Sequence, residues 1–163
     1  VLHLSPQGRC FDQRLAEELA KEEELVFLCG HYEGFDARIE DYLADEAISI
    51  GDYVLTGGEL PAMVIIDTVS RMLPGVLGSE ESAPTDSFYD GLLGYPQYTR
   101  PRDYAGLVAP DVLLSGDHVQ IALWRRQESL RRTKEMRPDL LNKAVLSESD
   151  RRFLASLEEK EKR

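Results

Sequence analysis

The stretch Ser49-Ile50-Gly51-Asp52-Tyr53-Val54-Leu55-Thr56-Gly57-Gly58-Glu59-Leu60-Pro61-Ala62-Met63 leads from an apolar run into the clearest helix of the chain. Pro61 suits a first helical turn, where a missing N–H costs nothing. Ala62, Ile65, Ile66, Val69 and Leu73 then recur at three- and four-residue spacing and make one apolar face. Pro74-Gly75 stops it. Upstream, Ala47 to Leu55 reads as strand-like at both ends, with Gly51-Asp52 interrupting. A short apolar strand, a glycine-bearing bend and a helix in succession belong to an α/β fold.

The same alternation runs outward from this joint. Val1 to Leu4 reads as a short strand closed by the turn-rich "SPQGRC". Asp12 is placed to cap a helix running to about Lys21, with Leu15 and Leu19 on its apolar side. "ELVFLCG" (24–30) is a compact buried-strand pattern, and 31–47 holds a loop and a short helix. The expected fold class is therefore α/β with a mostly parallel sheet. From Gly75 to Gly106 neither periodicity is sustained, over a length far beyond a usual connection. "PDVLLSGDH" (110–118) offers another strand, and Asp117 a cap for a helix to about Met136, after which Pro138 breaks the pattern. "SESD" (147–150) is a capping-box-like start for a last helix. The expected division is a ligand-binding domain over 1–75, a flexible loop over 76–106 and a small all-helical domain over 107–163.

With 163 residues the chain can bury a real core, and it has no apolar stretch long enough to span a membrane. Cys10 and Cys29 match no metal spacing and fit a reduced, cytoplasmic protein. The chain opens on Val1 in an apolar run, so a preceding segment is expected. A net charge of −11 argues against a nucleic-acid partner, but the charge is uneven. Residues 11–60 hold fourteen acids against three bases, whereas 121–138 hold six bases (Arg125, Arg126, Arg131, Arg132, Lys134, Arg137) against two acids. Such a stripe is either a solvated helix face or a phosphate contact.

The glycine bend is no phosphate cradle. It matches neither glycine-rich phosphate motif, no lysine follows, and Glu59 stands where an anion would meet the helix N-terminus. What remains is a plain turn, or glycines that let main chain approach a flat ligand beside Tyr53 and Leu55. The second loop, "LCGHYEG", presents Gly30, Glu33 and Gly34 after another strand, and "LSPQG" follows a third. Ligands in open α/β sheets sit outside the carboxyl ends of strands, so the three loops are expected to converge on one site. In the long loop, Asp86 and Asp90 stand near Phe88, Tyr89, Tyr95 and Tyr98; a general base, a weak metal pair and a polar loop are all compatible with that pattern. Arg100 or Arg102 and the aromatics could stack on or pair with an RNA base. His3, His31 and His118 have no nucleophile arrangement around them, and Trp124 fits a packing role.

Taken in order, "LSPQGR", "LCGHYEG", "SIGDYVLTGGELPAM", "LPGVLG", "DSFYDGLLGYPQYTRP" and "VLLSGDH" followed by "WRRQESLRRT" closely resemble the bacterial tRNA (guanine-N1)-methyltransferases, from Val1 to about Leu157. The resemblance implies a SPOUT-class fold with a C-terminal trefoil knot and a helical domain that grips tRNA. It also implies an obligate cytoplasmic homodimer with active sites at the subunit interface. The activity implied is methylation of guanosine 37, 3′ to the anticodon, with S-adenosylmethionine as methyl donor and Mg2+ as a further requirement for which no residue marks a site. Cofactor contacts carry over to Leu4, Ser5, Gly30, Glu33, Gly34, Ile50, Gly51, Asp52, Tyr53, Val54, Leu55, Gly57, Gly58 and Pro61. Asp86 matches the family's general base, and Arg71 the arginine that orients guanine and stabilises charge on its O6. Arg125, Arg126, Arg131 and Arg132 become candidate tRNA contacts. His3 stands where tyrosine is common, His31 where arginine is common, and Gly94 where an aspartate is common.

Overall fold

The computed structural model describes residues 1–77 and 86–161. The chain divides into two compact units, Val1–Ala83 and Pro84–Arg163. In the first, three parallel strands, β1 (Leu2–Cys10), β2 (Phe27–Leu28) and β3 (Glu46–Ser49), lie in the order β2-β1-β3. Parallel neighbours need crossovers, and two helices supply them. These are α1 (Gln13–Leu19) between β1 and β2, and α2 (Ala37–Tyr42) between β2 and β3. Asp12 caps α1 by accepting from the Leu15 amide at 2.9 Å, as its position predicts.

Strand alternation assigns the two faces of β1. Leu2 and Leu4 join Ile48 of β3 against Leu15, Ala16 and Leu19 of α1 and Ala62, Ile65 and Val69 of α3 (Glu59–Ser70). Burial of each large side chain in this core is worth about 1.5–3 kcal/mol. His3, between the two leucines, points to the opposite face, where Phe35 meets its ring edge-on at 5.5 Å and Glu40 of α2 lies alongside. Helices thus flank both faces, the ordinary environment of a parallel sheet.

Four expectations need correction in this unit. The turn-rich "SPQGRC" lies within β1, because Ile48 pairs with both Leu4 and Arg9 and Ser5–Gly8 is looped out of register between them. The second half of Ala47–Leu55 is not strand. Gly51, at φ 148°, turns the chain sharply, Ser49 Oγ brackets it by bonding both its N–H and its C=O, and Tyr53 folds back to donate to Ile50 O. Ile66 is half exposed, and Leu73 lies beyond the end of α3 and is also exposed. The apolar face is therefore the narrower Ala62, Ile65 and Val69.

The second unit is built on α4 (His118–Met136), capped by Asp117, which accepts from the Val119 and Gln120 amides at 3.1 Å. Pro138 does not merely end the pattern; it opens a single helical turn, α5 (Pro138–Leu141), from its first position. The last helix, α6 (Glu148–Glu161), starts on a reciprocal capping box. Ser147 N–H donates to Asp150, and the Asp150 N–H donates to Ser147 Oγ. "PDVLLSGDH" is not a strand: Asp111–Leu114 forms a 3-10 turn through short-range bonds such as Leu113 N–H to Pro110 O. The unit is also not purely helical. A two-residue hairpin, β4 (Asp103–Tyr104) and β5 (Leu107–Val108), closes on Ala105-Gly106, both in the left-handed region, which matches strand twist.

Of the long loop expected over 76–106, residues 78–85 lie outside the described part. The described remainder from Asp86 is fastened to the second unit. Leu92 is buried, Leu93 N–H donates to Thr133 Oγ1 at 2.9 Å, and Gly94 N–H donates to Ser87 Oγ at 2.8 Å.

Candidate functional site

The carboxyl ends of β2 and β3 and the looped-out Ser5–Gly8 stretch within β1 open into one cavity of about 630 Å³ within the first unit. Leu4, Ser5, Pro6 and Gln7 of β1 line it, Gly30 to Phe35 follow β2 into it, and Ile50, Gly51 and Tyr53 to Gly58 follow β3. Pro61 on the first turn of α3 completes that wall. The structure therefore brings together Leu4, Ser5, Gly30, Glu33, Gly34, Ile50, Gly51, Tyr53, Val54, Leu55, Gly57, Gly58 and Pro61. Asp52 alone of the fourteen expected cofactor residues does not line the cavity.

Local chemistry explains why these loops can meet. Gly58 N–H donates to Gly30 O at 3.1 Å, and a Cβ at Gly58 would stand 2.6 Å from the Cys29 Cα. Only a residue without a side chain permits that approach. Tyr32, at φ 56°, and Gly34, at φ 96°, fold the middle loop tightly enough for Gly34 N–H to reach His31 O. Cys29, behind the wall, has its thiol pushed up by burial and then by Glu59. The lining mixes main-chain polar groups with Leu4, Ile48, Ile50, Tyr53, Val54 and Leu55, the usual make-up of a small-molecule pocket.

Sequence reasoning missed several lining residues. His3 and Glu40 form one corner, with His3 Nδ1 2.6 Å from Glu40 Oε1 but out of hydrogen-bonding alignment. His31 and Glu59 form another pair at 2.6 Å, with Glu59 held below the usual carboxylate range by its own backbone N–H and then by His31. Only Glu59's place at a helix start was legible; the partners come from elsewhere in the chain.

Arg71 sits at the C-cap of α3, its N–H bonded to Asp67 O. Asp86 is exposed at the first described residue of the second unit. The four arginines expected to contact RNA divide. Arg125 is exposed, with its guanidinium 4.8 Å from the Tyr95 ring centre. Arg132 lies half-buried and forms no ion pair among the described residues. Arg126 instead bridges Asp150 and Asp90, and Arg131 pairs with Glu128 and Glu135 along its own helix. Both guanidinium pKa values are raised, by Asp150 and by Glu128 respectively. Among the described residues no cluster of three or more His, Cys, Asp or Glu could hold a metal ion.

Residues 1–143 match the family described as tRNA (Guanine-1)-methyltransferase TrmD. The chain belongs to this family. The Moorella thermoacetica protein named tRNA (guanine-N(1)-)-methyltransferase is 62% identical over 161 residues, covering 99% of this chain and 64% of its own length. That of Exiguobacterium sibiricum, with the same name, is 60% identical over 157 residues, covering 96% and 65%. A third, from Brevibacillus brevis, is 59% identical over 162 residues, covering 99% and 67%. The chain thus spans just under two thirds of the first two relatives' length. As a TrmD-family chain it carries the family match across both units, through the pocket and α4.

Proposed function

We propose that this chain supplies the methyl-donor pocket and the tRNA-binding unit of an enzyme that methylates N1 of guanosine 37 in tRNA. The observation that carries the reading is the cavity at the carboxyl ends of β2 and β3 and the looped-out stretch of β1, lined by close-packed glycine loops, in a chain of this family. Its residues suit S-adenosylmethionine. Main chain at the Gly57-Gly58 bend can face a flat adenine, Tyr53, Val54 and Leu55 offer apolar contact, and Glu33 can accept from a ribose hydroxyl or the ammonium. When bound, that cofactor supplies a methyl group on an electron-poor sulfonium.

Neutral guanine N1 is a poor nucleophile. In this reading Asp86 takes the N1 proton, and Arg71 orients the base and faces the negative charge that then spreads to O6. Transfer needs N1 held close and in line with the methyl group. Exposed Tyr98 beside Trp124, with Arg125 over Tyr95, provides rings and charge for contact with RNA, joined by Arg132. Leu60, Met63, Val64 and Ile66 leave an uncovered apolar face on α3, which favours a homodimer. The SPOUT-type knot, the cytoplasmic setting and a magnesium requirement belong to the same proposal, with no residue assigned to the metal.

The test is transfer of labelled methyl from S-adenosylmethionine to a tRNA transcript, with and without guanosine at position 37. Asp86→Ala should lose turnover and keep cofactor binding; retained turnover would remove Asp86 from its role. Methylation that persists without guanosine 37 would favour a related target base.

A further inference from the structure

The loop after β2 and the start of α3 touch along a seam that runs beside the cavity. Gly58 N–H donates to Gly30 O, His31 and Gly57 form an isolated antiparallel bridge, and His31 Nε2 lies 2.6 Å from Glu59 Oε1. A Cβ at Gly57 would stand 2.7 Å from His31 Cε1, so the imidazole packs directly on the glycine pair. Gly34 N–H bonds back to His31 O at 3.0 Å, which fixes where the histidine side chain leaves its loop. Glu59 is the first residue of α3, where the helix N-terminus favours a carboxylate.

We propose that His31 and Glu59 form a clasp across this seam, making them positioning residues that pre-order the two glycine loops for the cofactor. The proposal rests on reading the cavity as the S-adenosylmethionine site. The clasp lowers the ordering cost that ligand binding would otherwise meet. Tyr32, Glu33 and Cys29 are the titratable groups on the histidine's own loop, and Tyr32 lies with its ring 6.3 Å away. Glu59 faces it from α3, Tyr53 lies on the loop after β3, and the Ser5–Gly8 loop of β1 brings no titratable group. Both partners are about half exposed, which limits the effect to a few-fold.

Calorimetry with S-adenosylmethionine would be run on this chain and on His31→Ala and His31→Arg. Exchange of the Gly58 amide would be followed by NMR without ligand. His31→Ala should bind roughly two- to fivefold more weakly than wild type and exchange its Gly58 amide faster. His31→Arg, which keeps a donor for the Glu59 carboxylate, should restore affinity and slow Gly58 exchange relative to His31→Ala. Unchanged affinity and unchanged Gly58 exchange in His31→Ala would overturn the clasp. If wild type itself bound no cofactor, the pocket reading would fall, and the Gly58 exchange rates would still decide the clasp.

Discussion

Replacing Arg126 with Met should damage the fold of the second unit rather than RNA contact. The Arg126 guanidinium is about two-thirds buried and donates to both Asp150 oxygens, from Nε at 3.2 Å and from Nη2 at 2.9 Å. It also pairs with Asp90. Asp150 is nine-tenths buried, and its other bonds come from the capping box, so one guanidinium links α4, the start of α6 and the Asp90 turn. Methionine keeps most of the packing and strands the Asp150 charge. Charged hydrogen bonds are worth about 1.5–3 kcal/mol, and breaking a fully buried pair costs about 3–5 kcal/mol. Partial exposure of Arg126 brings the expected loss to about 2 kcal/mol. For a chain of this size that is a fall in Tm of about 4–8 °C. Trp124, the only tryptophan, sits on α4 two residues away, so its fluorescence in urea or on heating reports this unit.

Adding Asp150→Asn to Arg126→Met should recover part of the loss, because it removes the stranded charge. The pH dependence has a definite sign. Arg126 holds the Asp150 carboxyl below its ordinary value, burial opposes this, and Ser147 assists. The pair's stabilisation is therefore complete above the unfolded carboxyl pKa and is lost as pH falls through the lower folded value. The gap between wild type and Arg126→Met should be level at neutral pH and narrow only below about pH 4. Unchanged stability together with weakened tRNA binding would refute this and return Arg126 to the RNA surface.

Arg125→Ala with Arg132→Ala should weaken tRNA binding and lower its salt slope by about one to two; an unchanged slope would make them a solvated face. Thr133→Val should destabilise by about 1–3 kcal/mol, since the buried hydroxyl accepts from the Leu93 amide, which would be left unpaired. Urea unfolding followed through Trp124 checks it, and no change would mean that water replaces the hydroxyl.

Local chemistry was readable wherever it is local in sequence. Asp12, Asp117 and the Ser147–Asp150 box announce helix starts, because a cap and its amides lie within three residues. The convergence of the loops bearing Ser5, Gly30 and Gly57 followed from strand order and the location of ligand sites in parallel sheets. What could not be read depends on partners distant in the chain. Arg126 looked like a free cation because Asp90 and Asp150 lie 36 and 24 residues away. His31 looked isolated because Glu59 is 28 residues on. The looping-out of Ser5–Gly8 needs the neighbouring strand, since only pairing to Ile48 from both sides defines it. "PDVLLSGDH" has strand composition, but its backbone closes on itself in a 3-10 turn.

The central claim is that the glycine-lined cavity binds S-adenosylmethionine, and titration calorimetry of the chain with that cofactor tests it most directly. The control is Gly58→Val, whose side chain would enter the space occupied by Cys29. Saturable one-site binding by wild type, lost in a folded Gly58→Val variant, is the predicted result. A folded wild-type chain that takes up no cofactor, or a Gly58→Val variant that binds it equally well, would contradict the account.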